Sequence, residues 1–235
     1  MAGSAGPPRA KLGVVQPVSD EATTGPSLRD SFGDFCGYPS PRVLLPVTGA
    51  AIAARVALGG WRRRDVAIAG GILAAEPFTE WLVHVFLLHF RPRTVAGRRV
   101  DPLVARKHRE HHQDPRDPAL IFVPTPVLGI ALPAAVVGWG LAERRLRPAL
   151  TGIATGYAML TAYEWTHFLI HSTYRPRRRP YRALWRAHRL HHFRNEHYWF
   201  GVTTHLGDRV LRTYPARDEV PASATARTLG VEPAA

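Results

Sequence analysis

Apolar and polar residues alternate along this chain in long blocks. The longest apolar stretch, 120–142, has no charged residue. About 20 apolar residues in a helix cross the roughly 30 Å hydrocarbon core of a bilayer, so this stretch predicts a transmembrane helix. Three further stretches, 43–60, 66–90 and 148–171, each carry only one or two charged residues. Together the four predict an all-α fold with a four-helix transmembrane bundle.

The polar segments between these stretches predict how the helices are connected. Short charged turns at 61–65 and 143–147 indicate two helical hairpins, with both turns on one side of the membrane. The other side then receives the segments 91–119 and 175–194, which together hold 16 Lys and Arg against six in the turns. The excess of positive charge marks that side as cytoplasmic. A soluble all-α domain with four buried helices is the alternative.

Composition sets the limits of the ordered part. Residues 1–40 and 216–235 are rich in Ala, Pro, Gly and small polar residues and show no periodicity, so they predict a disordered leader and a disordered tail around a membrane domain at 41–215. The single cysteine, Cys36, excludes an intramolecular disulfide and a cysteine-based zinc site. The net charge is +13, but the basic residues lie in clusters that alternate with apolar stretches. This distribution argues against nucleic acid as a partner.

Histidine carries the candidate chemistry. The chain has twelve, and ten of them fall into four groups: His84 and His89; His108, His111 and His112; His167 and His171; His188, His191 and His192. Residues three and four apart share a helix face, so H-x-x-H-H and H-x-x-x-H each present imidazoles to one point. Adjacent members diverge by about 100°, so one H-x-x-H-H motif can serve two metal ions. Ten neutral imidazoles suit two five-coordinate ions of Fe, Zn, Cu or Ni.

The first histidine pair has an unusual spacing, and three other residues close to the histidine groups are candidates for supporting roles. His84 and His89 are five apart and do not share a face of a regular α-helix, so either a frayed last turn or ligation to two different metals would be needed. Glu80 and Glu164 precede histidines by about one turn, and we interpret them as carboxylates that orient the imidazoles from behind. His197, which follows the last group, is a candidate accessory residue.

These motifs carry a resemblance to a known family. Glu80-Trp-Leu-Val-His84-x4-His89 resembles the first histidine box of the fatty acid hydroxylase/sterol desaturase superfamily, and His108-Arg-Glu-His111-His112 with its Pro/Asp sequel resembles the second. The third and fourth boxes are Tyr163-Glu164-Trp-Thr-His167-x3-His171 and His188-Arg-Leu-His191-His192-Phe-Arg-Asn195, continued by Phe200-Gly201-Val202-Thr203 and Asp208. This last run looks most like the fatty acid 2-hydroxylase branch, from which Trp199 and Gly207 depart.

The resemblance implies a four-helix membrane bundle capped by cytoplasmic helices that hold a dimetal centre. It also implies two Fe ions ligated by the ten histidines, with zinc as a substitute in purified protein, and no catalytic residue beyond the metal centre. O2 and a lipid or fatty acyl chain would be the substrates. No part of the sequence supplies electrons, so a separate donor, a ferredoxin or a cytochrome b5-like protein, is expected.

The sequence therefore predicts a diiron lipid hydroxylase that acts on an acyl chain in the manner of a fatty acid 2-hydroxylase. The alternatives in the same superfamily are a sterol or carotenoid hydroxylase and a desaturase. A membrane protein that stores or moves zinc is the alternative from another class, although a transporter would place its ligands in the middle of the membrane. The composition favours a GC-rich bacterial genome, and hence the plasma membrane with the active site facing the cytoplasm.

Overall fold

A computed structural model describes residues 25–231, and this part of the chain is mostly helical. The sequence prediction of a helical fold is therefore confirmed. The elements are α1 (Leu28–Cys36), α2 (Pro39–Ala57), α3 (Arg63–Leu82) and a π-helix (Val83–Leu88), then strands β1 (Arg93–Val95) and β2 (Arg98–Val100), then α4 (Leu103–Gln113), a 3-10 turn (Pro118–Leu120), α5 (Thr125–Glu143), α6 (Leu146–His171), α7 (Arg179–Phe193), α8 (Leu206–Val210) and a second 3-10 turn (Arg217–Glu219).

Helix α6 is the centre of the packing. It contacts α2, α3 and α5, and α2 also contacts α5. The core between these helices holds Leu44, Leu128, Ile153 and Tyr157, and the Tyr157 hydroxyl donates to the carbonyl of Leu132 at 2.6 Å. The four apolar stretches of the sequence thus correspond to the four long helices, because each must bury an apolar side against a neighbour.

Two of these helical stretches are long and apolar enough to cross a membrane. They are Arg63–Leu88, which includes the π-helix, and Pro118–Glu143, which includes the first 3-10 turn. The sequence predicted four crossings, and the crossings by α2 and α6 stay a prediction.

At the end of α6 that is remote from the histidines, a buried polar cluster joins three helices. Arg55 of α2 pairs with Asp65 of α3 at 2.9 Å, and both side chains are almost fully buried. Thr151 of α6 donates to the same carboxylate at 2.6 Å. A charge in such a place is tolerated only when it is paired and hydrogen-bonded, and this one satisfies both conditions.

The leader predicted for residues 1–40 differs from the structure in its described part, 25–40. Ser27 and Asp30 form a reciprocal capping box that starts α1. Phe35 of that helix is fully buried and packs against the tilted rings of Phe122 and Phe168. Composition alone missed this helix because its stability comes from aromatic contacts with residues far along the chain. Residues 1–24 lie outside the described part.

The polar helices gather at the histidine-bearing end of α3 and α6. Helix α4 packs against the π-helix, α7 against the end of α6, and α8 against α3. Strands β1 and β2 form an antiparallel hairpin, with Arg93 opposite Val100, between the π-helix and α4. The tail predicted to be disordered is also packed where it is described: Val220 and Leu229 are only 3% and 2% exposed.

Candidate metal centre

The π-helix resolves the spacing of the first histidine pair. The backbone N–H of His89 donates to the carbonyl of His84 at 3.0 Å, a bond across five residues. A π-turn uses one more residue than an α-turn, so His84 and His89 lie on one face, as residues four apart do in an α-helix. Neither explanation offered by the sequence, a frayed turn or two separate metals, is correct. His167 and His171, with the regular spacing, lie on the continuous α-helix α6.

Two groups of five imidazoles form from the ten histidines, and within each group the candidate ligand atoms lie within 4.8 Å of one another. We call them the first cluster and the second cluster. The first consists of His84, His89, His108, His112 and His191. The second consists of His111, His167, His171, His188 and His192.

The two H-x-x-H-H motifs exchange one residue each. His108 and His112 of α4 join the first cluster, whereas His111 joins the second. In α7 the reverse holds: His188 and His192 belong to the second cluster, and His191 belongs to the first. The expected divergence of adjacent positions thus places one side chain of each helix in the other cluster, and the two clusters share their supporting helices.

Backbone carbonyls hold the outer nitrogens of several imidazoles. The Nδ1 atoms of His84, His191 and His112 bond the carbonyls of Phe200, Tyr198 and Ala226 at 2.7–2.8 Å in the first cluster. In the second cluster, the Nδ1 of His167 bonds the carbonyl of Ile121 at 3.1 Å. A carbonyl only accepts, so each of these Nδ1 atoms carries the proton, and each Nε2 presents a lone pair.

The inward nitrogens fit a cation. The Nε2 atoms of His84 and His108 are 3.2 Å apart, and those of His167 and His188 are 3.1 Å apart. For His84 and His167 the Nε2 is an unprotonated lone pair, and lone pairs at this distance repel unless a proton or cation lies between the rings. Such separations are those of neighbouring ligands around an ion with metal–nitrogen bonds of about 2.1 Å. Three more Nε2 atoms of the first cluster, those of His89, His112 and His191, are buried without a hydrogen-bond partner among residues 25–231.

Burial keeps the imidazoles of α4 and α7 neutral. It lowers the pKa of His112 to about 3, partly opposed by the hydrogen bond to Ala226. Burial first, and neighbouring histidines second, hold the pKa values of the other five well below the usual range: His108, His111, His188, His191 and His192. A metal ligand must be the neutral imidazole, so the site is prepared for metal across ordinary pH.

The two carboxylates act through the backbone and not on the imidazoles directly. Glu80 accepts from the backbone N–H groups of Val202 and Thr203, in the loop whose Phe200 carbonyl holds His84. Glu164 accepts from the N–H of Val123 at 2.9 Å. That residue is two positions after Ile121, which holds His167.

Ser40 completes the second of these arrangements by donating to both oxygens of Glu164 at 2.7 Å. The orienting role that we interpret for the two carboxylates is thus indirect: each fixes a loop, and a carbonyl of that loop fixes a histidine. The sequence does not predict which backbone carbonyls hold the histidines, because every residue has a carbonyl and no pattern distinguishes these. Asp208, whose oxygens accept from the N–H groups of Phe200 and Gly201, was noticed only as part of a motif.

His197 lies apart from both clusters. Its side chain is 59% exposed, and its nearest charged neighbour is Glu196 at 3.4 Å. The structure therefore brings together the ten predicted ligands and leaves the accessory candidate outside.

The comparison with known families fits this geometry. The model of the fatty acid hydroxylase family matches residues 69–213, more than half of the chain and all ten clustered histidines. The chain belongs to the fatty acid hydroxylase family. The family assignment makes it an oxidoreductase that hydroxylates lipids, with a histidine cluster able to bind metal.

Individual relatives agree with the family assignment. The dihydroceramide fatty acyl 2-hydroxylase FAH1 of Arabidopsis thaliana is 30% identical over 177 residues, which cover 74% of this chain and 72% of the relative. The ceramide very long chain fatty acid hydroxylase SCS7 of Saccharomyces cerevisiae is 31% identical over 140 residues, 59% of this chain and 35% of that protein. The solved structure of full-length Scs7p, in which only the hydroxylase domain is visible, shares the fold with a TM-score of 0.62 at 24% identity, covering 78% of this chain and 68% of that one.

Proposed function

We propose that this fatty acid hydroxylase inserts oxygen into a lipid acyl chain at a centre of two iron ions, using O2 and electrons from a separate protein. The observation that carries the proposal is the pair of five-histidine clusters, with their nitrogens aimed inward and their rings neutral. The names of the relatives, which specify fatty acyl 2-hydroxylation, support the position next to the acyl carbonyl as the site of reaction.

Iron is the metal that suits both the ligands and the reaction. Imidazole binds iron and zinc alike, and zinc has the higher intrinsic affinity, so purified protein can carry zinc. Attack on an unactivated C–H bond requires a redox-active metal, and zinc has no redox chemistry. Bound iron would supply the oxidising power, and the ten histidines would hold it. The protein's own contribution is to fix the rings through the Phe200 and Ile121 carbonyls.

An apolar cavity beside the first cluster fits the acyl chain. It has a volume of about 310 Å³ and reaches His84, which is one of its lining residues. Its other walls include Val83, Leu87, Val127 and Leu160, from the π-helix, α5 and α6. These side chains would bind the chain by burial of apolar surface, exclude water, and orient one carbon towards the cluster.

The proposal includes a membrane arrangement. We propose that α2, α3, α5 and α6 all span the bilayer within a domain at 41–215, with the histidines and the Arg-rich segments on the cytoplasmic side of a bacterial plasma membrane. The cytoplasmic helices α4 and α7 would form the cap over the metals. The arginines of this face would also dock an acidic ferredoxin or cytochrome b5-like electron donor.

Lipid analysis of an expression host tests the proposal. One host produces the intact chain and a second produces the His111→Ala/His191→Ala variant, each with a matching electron donor. Lipids heavier by one oxygen atom, found only with the intact chain, are expected, and fragmentation would place the oxygen. Lipids lighter by two hydrogen atoms would instead identify a desaturase. Metal-loaded protein that leaves every lipid unchanged beside an active donor would contradict the proposal.

A further inference from the structure

The segment 220–230, which we call the C-terminal strap, is packed although it lies beyond the region matched by the family model. That region ends at residue 213. Ala226 and Leu229 in the strap are 5% and 2% exposed. A segment rich in small residues becomes ordered only when it has definite partners, and the strap has them on both halves of the histidine centre.

One set of partners is at the end of α7. The side chain of Arg194 donates to the carbonyl of Val220 at 2.7 Å, and the N–H of Ser223 donates to the carbonyl of Arg194 at 2.7 Å. The Thr225 hydroxyl donates to the buried carboxylate of Glu196. The strap is thus fixed to the helix that carries His191.

A second set of partners belongs to the first half of the chain. The guanidinium of Arg227 donates to the carbonyl of Gln113, the last residue of α4. The side chain of Arg91, two residues after His89, donates to the carbonyl of Leu229 at 3.1 Å. Gly230 follows with φ +70°, and a Cβ there would lie 2.7 Å from the Arg91 guanidinium. The backbone of the strap at Gly230 therefore lies in close contact with Arg91.

Between these anchors the strap holds a histidine of the first cluster. The carbonyl of Ala226 accepts from Nδ1 of His112 at 2.8 Å. We propose that the C-terminal strap is a positioning element for the first cluster alone, fixing the ring of His112 so that its Nε2 faces the metal. The inference rests on the proposed binding of two metals.

The second cluster has a different support. The Nδ1 of its His167 bonds the carbonyl of Ile121, which lies in the segment between α4 and α5. Among residues 25–231, the strap hydrogen-bonds one clustered histidine, His112 of the first cluster, so its loss should remove one metal and leave the other. A strap that merely stabilised the whole fold would affect both.

Truncation tests this selectivity. The chain ending at residue 222 is compared with a control ending at residue 231 and with the full chain, each loaded with Zn²⁺ and measured by elemental analysis. Two zinc ions are expected in the full chain and the control, and one in the truncated chain. Adding His192→Ala to the truncated chain should remove the remaining ion, whereas adding His89→Ala should not.

Point variants cover the case in which truncation prevents folding. Thr225→Val/Arg227→Ala removes the bonds on both sides of Ala226, and Thr94→Val/Arg217→Ala is the matched control at two exposed residues outside the strap. Loss of such an outer support lowers metal affinity about 10–100-fold. We expect that fall for one of the two zinc ions, measured by competition with a chelator, and no change in the control.

The outcomes separate the two hypotheses. A full chain that binds no zinc would overturn the proposed function and, with it, the role of the strap. Two ions with unchanged affinity in the truncated chain or the point variant would overturn the role of the strap alone. An equal loss of affinity at both clusters in the point variant would also overturn it.

Discussion

The two halves of the histidine centre reach the same geometry by different routes. In the half formed by 80–113, a π-helix carries His84 and His89, and in the half formed by 164–192 a continuous α-helix carries His167 and His171. Both halves place a carboxylate about one turn before the first histidine and use it to fix a loop. The difference shows that the position of the rings, and not the local helix type, is what the two halves have in common.

They also differ in where their supports come from. The first cluster takes its carbonyls from residues after α7, at 198–226, whereas the second takes the carbonyl of Ile121, in the segment between α4 and α5. Each cluster is therefore completed by chain from outside its own half. Together with the exchange of His111 and His191, this leads us to expect that the two proposed metal sites are interdependent in folding but separable by mutation.

The largest expected effect comes from the exchanged histidines. His111→Ala should remove the metal of the second cluster and His191→Ala that of the first, and either should lower hydroxylation at least about 100-fold. Combining His111→Ala with His192→Ala should cost no further metal, since both strip the same cluster. If metal analysis showed that His111→Ala and His112→Ala lose the same metal ion, the assignment of these two histidines to different clusters would be refuted.

Acid should weaken both halves alike. Burial lowers the pKa of His112 to about 3, whereas an unfolded histidine titrates near 6.5. Between these values the unfolded chain binds a proton that the folded chain does not, so stability rises with pH and is lost as pH falls below about 6.5. Each such histidine contributes a slope of about 1.4 kcal/mol per pH unit.

Chemical unfolding of the metal-free protein in detergent, followed between about pH 4.5 and 6.5, measures this slope. His112→Gln and His192→Gln, one from each half, should each reduce it by one proton. Stability that stays constant over this range would show that the rings are not held neutral.

The carboxylates should have separate effects of intermediate size. Glu80→Gln should weaken the loop at Val202 and hence the first cluster, and Glu164→Gln the second. Gln has one acceptor oxygen where Glu has two, so a buried donor loses its partner, which costs about 1–3 kcal/mol of stability. Unfolding measurements check the size, and metal competition assigns each change to a cluster; crossed assignments would contradict the roles of the loops.

The smallest effect is expected from converting the π-turn to an α-turn. Deletion of Phe86, whose side chain is 63% exposed, leaves His84 and its partner four apart, as in the second half. Both rings then still share a face, so we expect two metals with affinity at the first cluster reduced less than about tenfold. As a control, deletion of Leu88 gives the same spacing but removes a residue that lines the cavity. Loss of the first metal in the Phe86 deletion would show that the π-turn itself is required.

The sequence by itself determined the long helices and the set of candidate ligands. Apolar stretches must be buried, and four groups of histidine, three of them at helical spacing, have no common explanation other than a shared site. It also indicated that His111 and His112 can serve different ions, since adjacent residues diverge on a helix. These inferences depend only on local geometry, because the spacing of residues along a helix fixes which side chains share a face.

Only the tertiary structure decided the π-turn at His84, the indirect roles of Glu80 and Glu164, and the ordering of α1 and the C-terminal strap. In each case the decisive partner is distant in sequence: Phe35 packs on Phe122 and Phe168, and His112 is held by Ala226. The physical reason is that backbone carbonyls and small residues carry no distinguishing side chain. Their function arises from where the fold places them, and the pattern of residues along the chain does not record that position.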